Sequence, residues 1–235
     1  MRVQLNKGRA RVETVLVSWS GGKDSAMALY EIQRAEQARV IALLTTFTRD
    51  ADDGGRVGIH NVRRELIEAQ AASINLPLRK VFIAPKATNA EYESTMIKAL
   101  APFRDEEGIE QIVYGDLFLE DIRAYREQFL ARHRMRGIYP VWGRDTLKFA
   151  ADFIKLGFKA VVVSVNAKML DESFAGKMFD ADFLERLPPN IDPCGERGEF
   201  HTFVYDGIIF EHELKFRRGK VAFRDDHYCC ELLPD

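Results

Sequence analysis

Cysteine is scarce in this chain: Cys194, Cys229 and Cys230 are the only three in 235 residues. An odd, small count argues against a disulfide scaffold and for a reducing compartment. Set beside His201 and His227, their spacing matches no zinc template, and adjacent cysteines chelate poorly as a pair. No apolar run approaches the ~20 residues that a bilayer demands. The first ten residues carry charge but no apolar core, unlike a secretory signal, so a cytoplasmic protein without a membrane partner is expected. A basic excess is also missing. There are 34 Lys and Arg against 36 Asp and Glu, for a net charge of −2, which argues against direct nucleic-acid binding. A small anionic ligand needs only a local positive site. Repeats and low-complexity stretches are absent, and 46% hydrophobic with 30% charged residues is an ordinary globular profile.

Ser20-Gly21-Gly22-Lys23-Asp24-Ser25 carries most of the information. An apolar run, Val15 to Trp19, precedes it and predicts a buried strand. Ala26 to Ile32 follows and predicts a helix. The first N–H groups of a helix have no partner within it, and the helix dipole adds positive potential there. Gly21 and Gly22 allow close approach of an anion. Lys23 adds charge, Ser25 a hydroxyl, and Asp24 either caps the helix or holds a metal such as Mg²⁺. The plain alternative is a capped helix after a tight turn. The strand–turn–helix context favours a phosphate loop. Neither the Walker spacing nor the dinucleotide fingerprint is present.

Further along, strands are expected at Val40–Phe47, Leu78–Ala84 and Gln111–Asp116. Helices are expected from about Asn61 to Ile74 and from Asn89 to Phe103, with Pro102 at a fraying end. The polar loop from Thr48 to Gly58, with Asp50, Asp52, Asp53, Gly54 and Gly55, reads as mobile. Alternating strands and helices predict an α/β fold with a parallel sheet. Ligands of such sheets lie beyond the strands' carboxyl ends, which would bring Ser20–Ser25, Thr45 to Thr48 and Gly115-Asp116 to one site, with Thr45 toward the nucleotide. The pattern changes after about residue 136, so we expect a nucleotide-binding domain over 1–135 and a smaller, mixed α/β acceptor-binding domain over 136–235. In the latter, strands are expected at Ile138–Trp142, Phe158–Val165, Phe200–Tyr205, Ile208–Phe216 and Val221–Arg224. A helix is expected at Asp145–Leu156, and a hairpin turn at Arg218-Gly219.

Two other clusters carry chemistry. Gly195-Glu196-Arg197-Gly198-Glu199-Phe200-His201-Thr202-Phe203 packs carboxylates, a histidine and a threonine together. In an extended segment Glu199 and His201 share a face, and Glu196 lies across a turn from them. Such a group could orient ammonia, take a proton from it or bind Mg²⁺; a solvated turn is the plain alternative. The second cluster follows Gly115-Asp116. Glu120, Arg123 and Glu127 fall on one helical face, either as a solvent face or with Asp116 and Glu120 turned to a nucleotide. In the second case Arg123 or Arg126 would hold a phosphate or a substrate carboxylate. His60, just before the helix expected at Asn61, either caps that helix or lies near the ligand, and the structural role is favoured.

Ser-Gly-Gly-Lys-Asp-Ser resembles the PP-loop of the ATP pyrophosphatases, although Trp19 stands where those proteins commonly have a smaller residue. With Gly115-Asp116, Pro140 to Asp145, Val161 to Asp171 and above all Gly-Glu-x-Gly-Glu-Phe-His-Thr, the chain resembles the diphthine–ammonia ligase family over about residues 14–233. That resemblance implies a PP-loop domain with a smaller C-terminal domain. It implies ATP phosphates held by Ser20, Gly21, Gly22, Lys23, Asp24 and Ser25, and an acceptor pocket lined by Glu196 to Thr202. It implies that a carboxylate is adenylated and that free ammonia displaces AMP, with ATP and Mg²⁺ required. The catalytic candidates are then Lys23, Asp24, Glu196, Glu199 and His201, with Glu120, Arg123, Arg126 and Thr202 toward the acceptor. The acceptor would be the modified histidine of a translation elongation factor. A small molecule such as a corrinoid precursor, a tRNA-modifying activity and a non-catalytic nucleotide sensor are the alternatives, and a homodimer stays open.

Overall fold

The computed structural model describes residues 13–48, 55–58 and 60–235. Asp50, Asp52, Asp53 and Gly54 of the expected mobile loop lie outside these. β1 (Glu13–Ser18) buries Val15, Leu16 and Val17 completely, as a parallel strand covered on both faces must. It leads through the glycine turn into α1 (Lys23–Arg34) and then β2 (Ala38–Thr48). A two-residue strand pair follows, β3 (Arg56–Val57) with β4 (Val62–Arg63), and then α2 (Arg64–Ser73). The helix expected from Asn61 starts later because Asn61 adopts a left-handed φ of 51°, which closes the turn of this pair.

β5 (Leu78–Ile83) precedes α3 (Asn89–Asp105), which opens on a capping box between Thr88 and Glu91. Pro102 lies inside this helix rather than at its end, and Phe103 beyond it is buried in the core. β6 (Gln111–Val113), α4 (Glu120–Arg132) and β7 (Arg136–Ile138) complete the first sheet. In space the parallel strands run β5-β2-β1-β6-β7, with the β3–β4 pair set at the end of β2. Chain order reverses between β1 and β6, so a crevice opens between their carboxyl ends. This is the expected α/β, mostly parallel sheet.

α5 (Thr146–Lys155), capped by Asp145, leads to β8 (Lys159–Asn166), whose Ala160 to Val165 are all buried. The short helix α6 (Ala181–Arg186), β9 (Phe200–Asp206), β10 (Phe216–Arg224) and β11 (His227–Pro234) follow. The second sheet is antiparallel in the order β10-β11-β8-β9. Three expectations need correction here. The strand expected at Ile138–Trp142 lies at Arg136–Ile138 instead and pairs with β6 of the first sheet. Ile208 to Lys215 is a loop: its amides bond singly, Glu211 N to Ser73 O and Leu214 N to Tyr205 O, and build no ladder. Arg218-Gly219 is a bulge within β10, and the hairpin turns instead at Asp225-Asp226, both with left-handed φ (46° and 64°). β11 has no counterpart in the strands expected from sequence.

One hydrophobic core runs from Val15 of the first sheet to Leu232 of the second, with α1 in the middle. Gly115 makes that packing possible at the crevice. A Cβ there would lie 2.6 Å from the backbone C and O of Asp24. Gly115→Ala should therefore push α1 away from β6 and destabilise the protein by about 1–3 kcal/mol. Urea denaturation measures this, and an unchanged midpoint would show that the two backbones have room to spare.

Candidate active site

The glycine turn is held from behind. Gly21 takes a left-handed φ of 80°, and its carbonyl accepts from Val204 N and from Gln70 Nε2, both at 2.9 Å. Gln70 is fully buried; its Nε2 also donates to Val204 O at 2.6 Å, and its Oε1 accepts from Trp19 Nε1 at 2.9 Å. One amide side chain thus joins β1, the turn and β9. It also accounts for the tryptophan at the head of the loop. On the front side, Gly22 N donates to Ser20 Oγ (3.3 Å), Ser25 Oγ donates to Gly22 O (2.9 Å), and Lys23 N donates to Thr202 Oγ1 (3.1 Å). Two of the amides expected to point outward without a partner are therefore engaged with hydroxyls.

Gly22 is the N-cap of α1 with extended backbone and no side-chain cap. Asp24 does not cap the helix; its carboxylate lies 2.9 Å from Lys23 Nζ. Lys23 is only 2% exposed, and its Nζ sits 5.6 Å from the Phe200 ring centre and 5.9 Å from that of Phe179. Burial pulls its pKa down. The charge of Asp24, with lesser contributions that include Glu196, outweighs this and holds it above the ordinary lysine value.

Arg126 pairs with Asp116 and stacks 4.4 Å over Tyr114. Burial raises the Asp116 pKa despite this partner. Arg123 faces elsewhere. Its guanidinium lies 4.7 Å from the Tyr139 ring centre and 4.6 Å from that of Trp142, and it donates to Glu127 at 2.7 Å. Glu120 is exposed at the start of α4. Thr45 is buried beneath the site and donates to Trp19 O at 2.7 Å, while Thr46 reaches a cavity wall.

From the C-terminal segment, Glu196 Oε1 accepts from Leu117 N at 2.8 Å. Burial and the nearby charge of Asp24 push its pKa up to about 7. Glu199 is fully buried, with Oε1 accepting from Asp192 N (3.0 Å) and Oε2 from Arg197 N (2.9 Å). It precedes β9, so strand alternation does not govern it, and it is tied into its own loop apart from His201. His201 lines the cavity, its ring 4.7 Å from that of His60, with Nε2 buried and unpartnered. Burial, then the neighbouring His60 and Lys23, hold the His201 pKa well below the ordinary value. Burial likewise lowers His60 to about 4. His60 Nδ1 lies 3.3 Å from Thr202 O, so this residue belongs to the site as well as to the fold.

These groups surround a cavity of about 310 Å³ in the crevice, which Ser20, Lys23, Asp24, Asp116, Glu196 and His201 all line. A second cavity of about 260 Å³ adjoins it, sharing Ser18, Ser20, His60, Tyr114 and Arg126. Its other walls include Leu44, Val57, Met96 and Phe129. Among the described residues, no group of three or more His, Cys, Asp or Glu could hold a metal ion, and no helix is long and apolar enough to cross a membrane.

Comparison with known proteins covers both lobes of this cavity. The diphthamide synthase N-terminal domain matches residues 13–136, and the diphthamide synthase C-terminal domain matches residues 145–232. The chain belongs to the diphthamide synthase family. It is 23% identical to the diphthine–ammonia ligase of Danio rerio over 226 residues, 88% of each chain. It is 24% identical to that of Bos taurus over 221 residues, 86% of this chain and 82% of the relative. With the Schizosaccharomyces pombe diphthine–ammonia ligase it shares 24% identity over 231 residues, which is 91% of this chain and 38% of that protein.

Within this family member, Gln70 and Tyr114 were not among the candidate site residues. Gln70 carried one weak signal, a polar residue among the apolar positions of α2. Gln70→Leu strips Trp19 Nε1 of its partner and removes a donor from two buried carbonyls. It should cost about 2–4 kcal/mol in urea denaturation; a loss below about 1 kcal/mol would mean that the turn does not depend on this amide.

Proposed function

We propose that this protein is an ATP-dependent ligase that joins ammonia to a carboxylate and releases AMP and pyrophosphate. The observation that carries this reading is the bond from Lys23 N to Thr202 Oγ1. It brings the start of α1 and the Gly-Glu-x-Gly-Glu-Phe-His-Thr segment into one cavity, so a nucleotide and an acceptor can meet there. The sequence predicts a division into 1–135 and 136–235; because β7 (Arg136–Ile138) completes the first sheet, we propose that the part through β7 binds the nucleotide and the remainder supplies the acceptor side. The relatives' name suggests diphthine, the modified histidine of a translation elongation factor, as the acceptor. Three buried, unpaired thiols suit a cytoplasmic setting.

The triphosphate lies at the N-terminus of α1, where its oxygens take over Gly22 N and Lys23 N from the weaker acceptors Ser20 Oγ and Thr202 Oγ1. The adjoining cavity, with its apolar walls, takes the nucleoside. An oxygen of the acceptor carboxylate attacks the α-phosphorus, and the bond to the β-phosphate breaks. Lys23 and the N–H groups of the turn face the charge that grows on the departing pyrophosphate. Arg126 is placed to hold a phosphate or the acceptor. The nitrogen of ammonia then attacks the acyl carbon, AMP leaves, and Glu196 takes the proton that the nitrogen loses. A carboxylate with a pKa near the working pH suits that task.

The donor set is compatible with Mg²⁺. The cavity offers hard carboxylate oxygens from Asp24, Asp116 and Glu196. Asp24 would hold the ion together with substrate phosphates, and the ion would neutralise phosphate charge. His201 and His60, both uncharged at neutral pH, offer ammonia a hydrogen-bond acceptor without repelling ammonium. Glu199 acts as a positioning residue, because both of its oxygens shape the loop that presents Glu196.

Lys23→Ala should slow pyrophosphate release roughly a hundredfold, about 3 kcal/mol of transition-state stabilisation. Undiminished release, or ADP in place of AMP, would refute the reading. Activity of the unaltered enzyme should fall as the pH drops through about 7, where Glu196 becomes protonated. Glu196→Gln should lower kcat about 10–100-fold and erase that limb of the profile. A limb that survives in the variant would assign the base to another group.

A further inference from the structure

β10 is an outer strand of the smaller sheet, and among the described residues no strand pairs with its free edge. From Lys215 to Arg224 the chain carries five cations and no acid, in a protein of net charge −2. Lys215 pairs with Glu213, Arg217 with Asp235, and Arg218 donates to Gly176 O at 2.8 Å, which leaves Lys220 and Arg224 to set the character of the edge. The bulge after Arg218 keeps Arg218, Val221 and Phe223 on the sheet face of Leu232, Cys230 and Tyr228, their partners in register. Val221 is 39% exposed and Phe223 60%. Beside this face lie two cavities of about 270 and 450 Å³ that share Ser173, Lys177 and Arg218.

Cations and a bulge are devices that keep sheet edges from pairing. They also oppose a second copy of β10, since like charges would meet across the new ladder. Guarding alone does not account for Val221 and Phe223, two apolar side chains left open beside a groove that mixes Lys177, Arg186 and Arg218 with Glu172, Asp180 and Asp182; the excess of positive charge lies on β10 itself. We propose that the free edge of β10 docks an acidic, extended segment of a protein partner, which adds to β10 as a further strand. Its acidic side chains meet Lys220 and Arg224 on one face, and alternate apolar ones cover Val221 and Phe223 on the other. Phe183, in the wall of the groove, packs 5.2 Å from Phe200, whose ring centre lies 5.6 Å from Lys23 Nζ. Groove and phosphate site thus share one aromatic wall. That the partner also carries the acceptor carboxylate rests on the function proposed above; the docking itself does not.

The test uses the full chain and a fluorescein-labelled, capped heptapeptide of alternating glutamate and valine, followed by anisotropy at low salt. Saturable binding is expected. It should weaken about tenfold in the double variant Lys220→Glu, Arg224→Glu, whose ATP affinity stays unchanged. Methylating alternate peptide nitrogens should weaken binding about fivefold, because strand pairing is lost while charge is kept. This second arm needs no variant to fold. Absent binding, equal binding of the methylated peptide, equal binding by the folded double variant, or tighter binding of an oligouridylate would each overturn the proposal. Failure of the ligase reading would appear separately, as turnover that yields ADP, with peptide binding untouched.

Discussion

The site depends on a carbonyl that points away from it. Gly21 O is gripped by Val204 N of β9 and by Gln70 of α2, which fixes the turn in its left-handed form and sets the direction of α1. Every group at the head of that helix inherits its position from this bond pair. The same contact brings β9 against the turn, so that Thr202 reaches Lys23 N two residues on. A glycine is needed because a Cβ at this position would meet Gln70 Oε1 and Ile67 Cδ1 at 2.6 Å.

Around that fixed turn the charges are arranged as a nearly balanced set. Lys23 and Arg126 face Asp24, Asp116 and Glu196 across the cavity. Each cation has a carboxylate partner, and Glu196 sits close to its own midpoint at neutral pH. Burying such groups is costly unless they are paired. The balance lets the site exist without ligand. The two histidines add polarity without charge, since burial keeps both neutral.

Several residues moved between roles once the chain was folded. Arg123 and Arg126 are three apart on one helix, and either could have served the site. Aromatic rings of Tyr139 and Trp142 hold the first, while Asp116 and Tyr114 bring the second to the cavity. Thr45 and Thr46 are neighbours on β2 and face opposite ways, so one supports the turn and the other lines a wall. Glu199 and His201 were paired by strand spacing, yet Glu199 lies before the strand begins and folds back onto its own loop.

The amino-acid order alone was enough for the glycine turn between strand and helix, the parallel sheet and the family likeness, because these rest on local properties: glycine flexibility, helix-end donors, and apolar runs of strand length. It was not enough for the pairing of the turn with β9, the grip of Gln70, the turning point of the last hairpin or the choice between neighbouring arginines. Those depend largely on contacts between segments far apart in the chain, where packing and burial choose among side chains that are chemically alike.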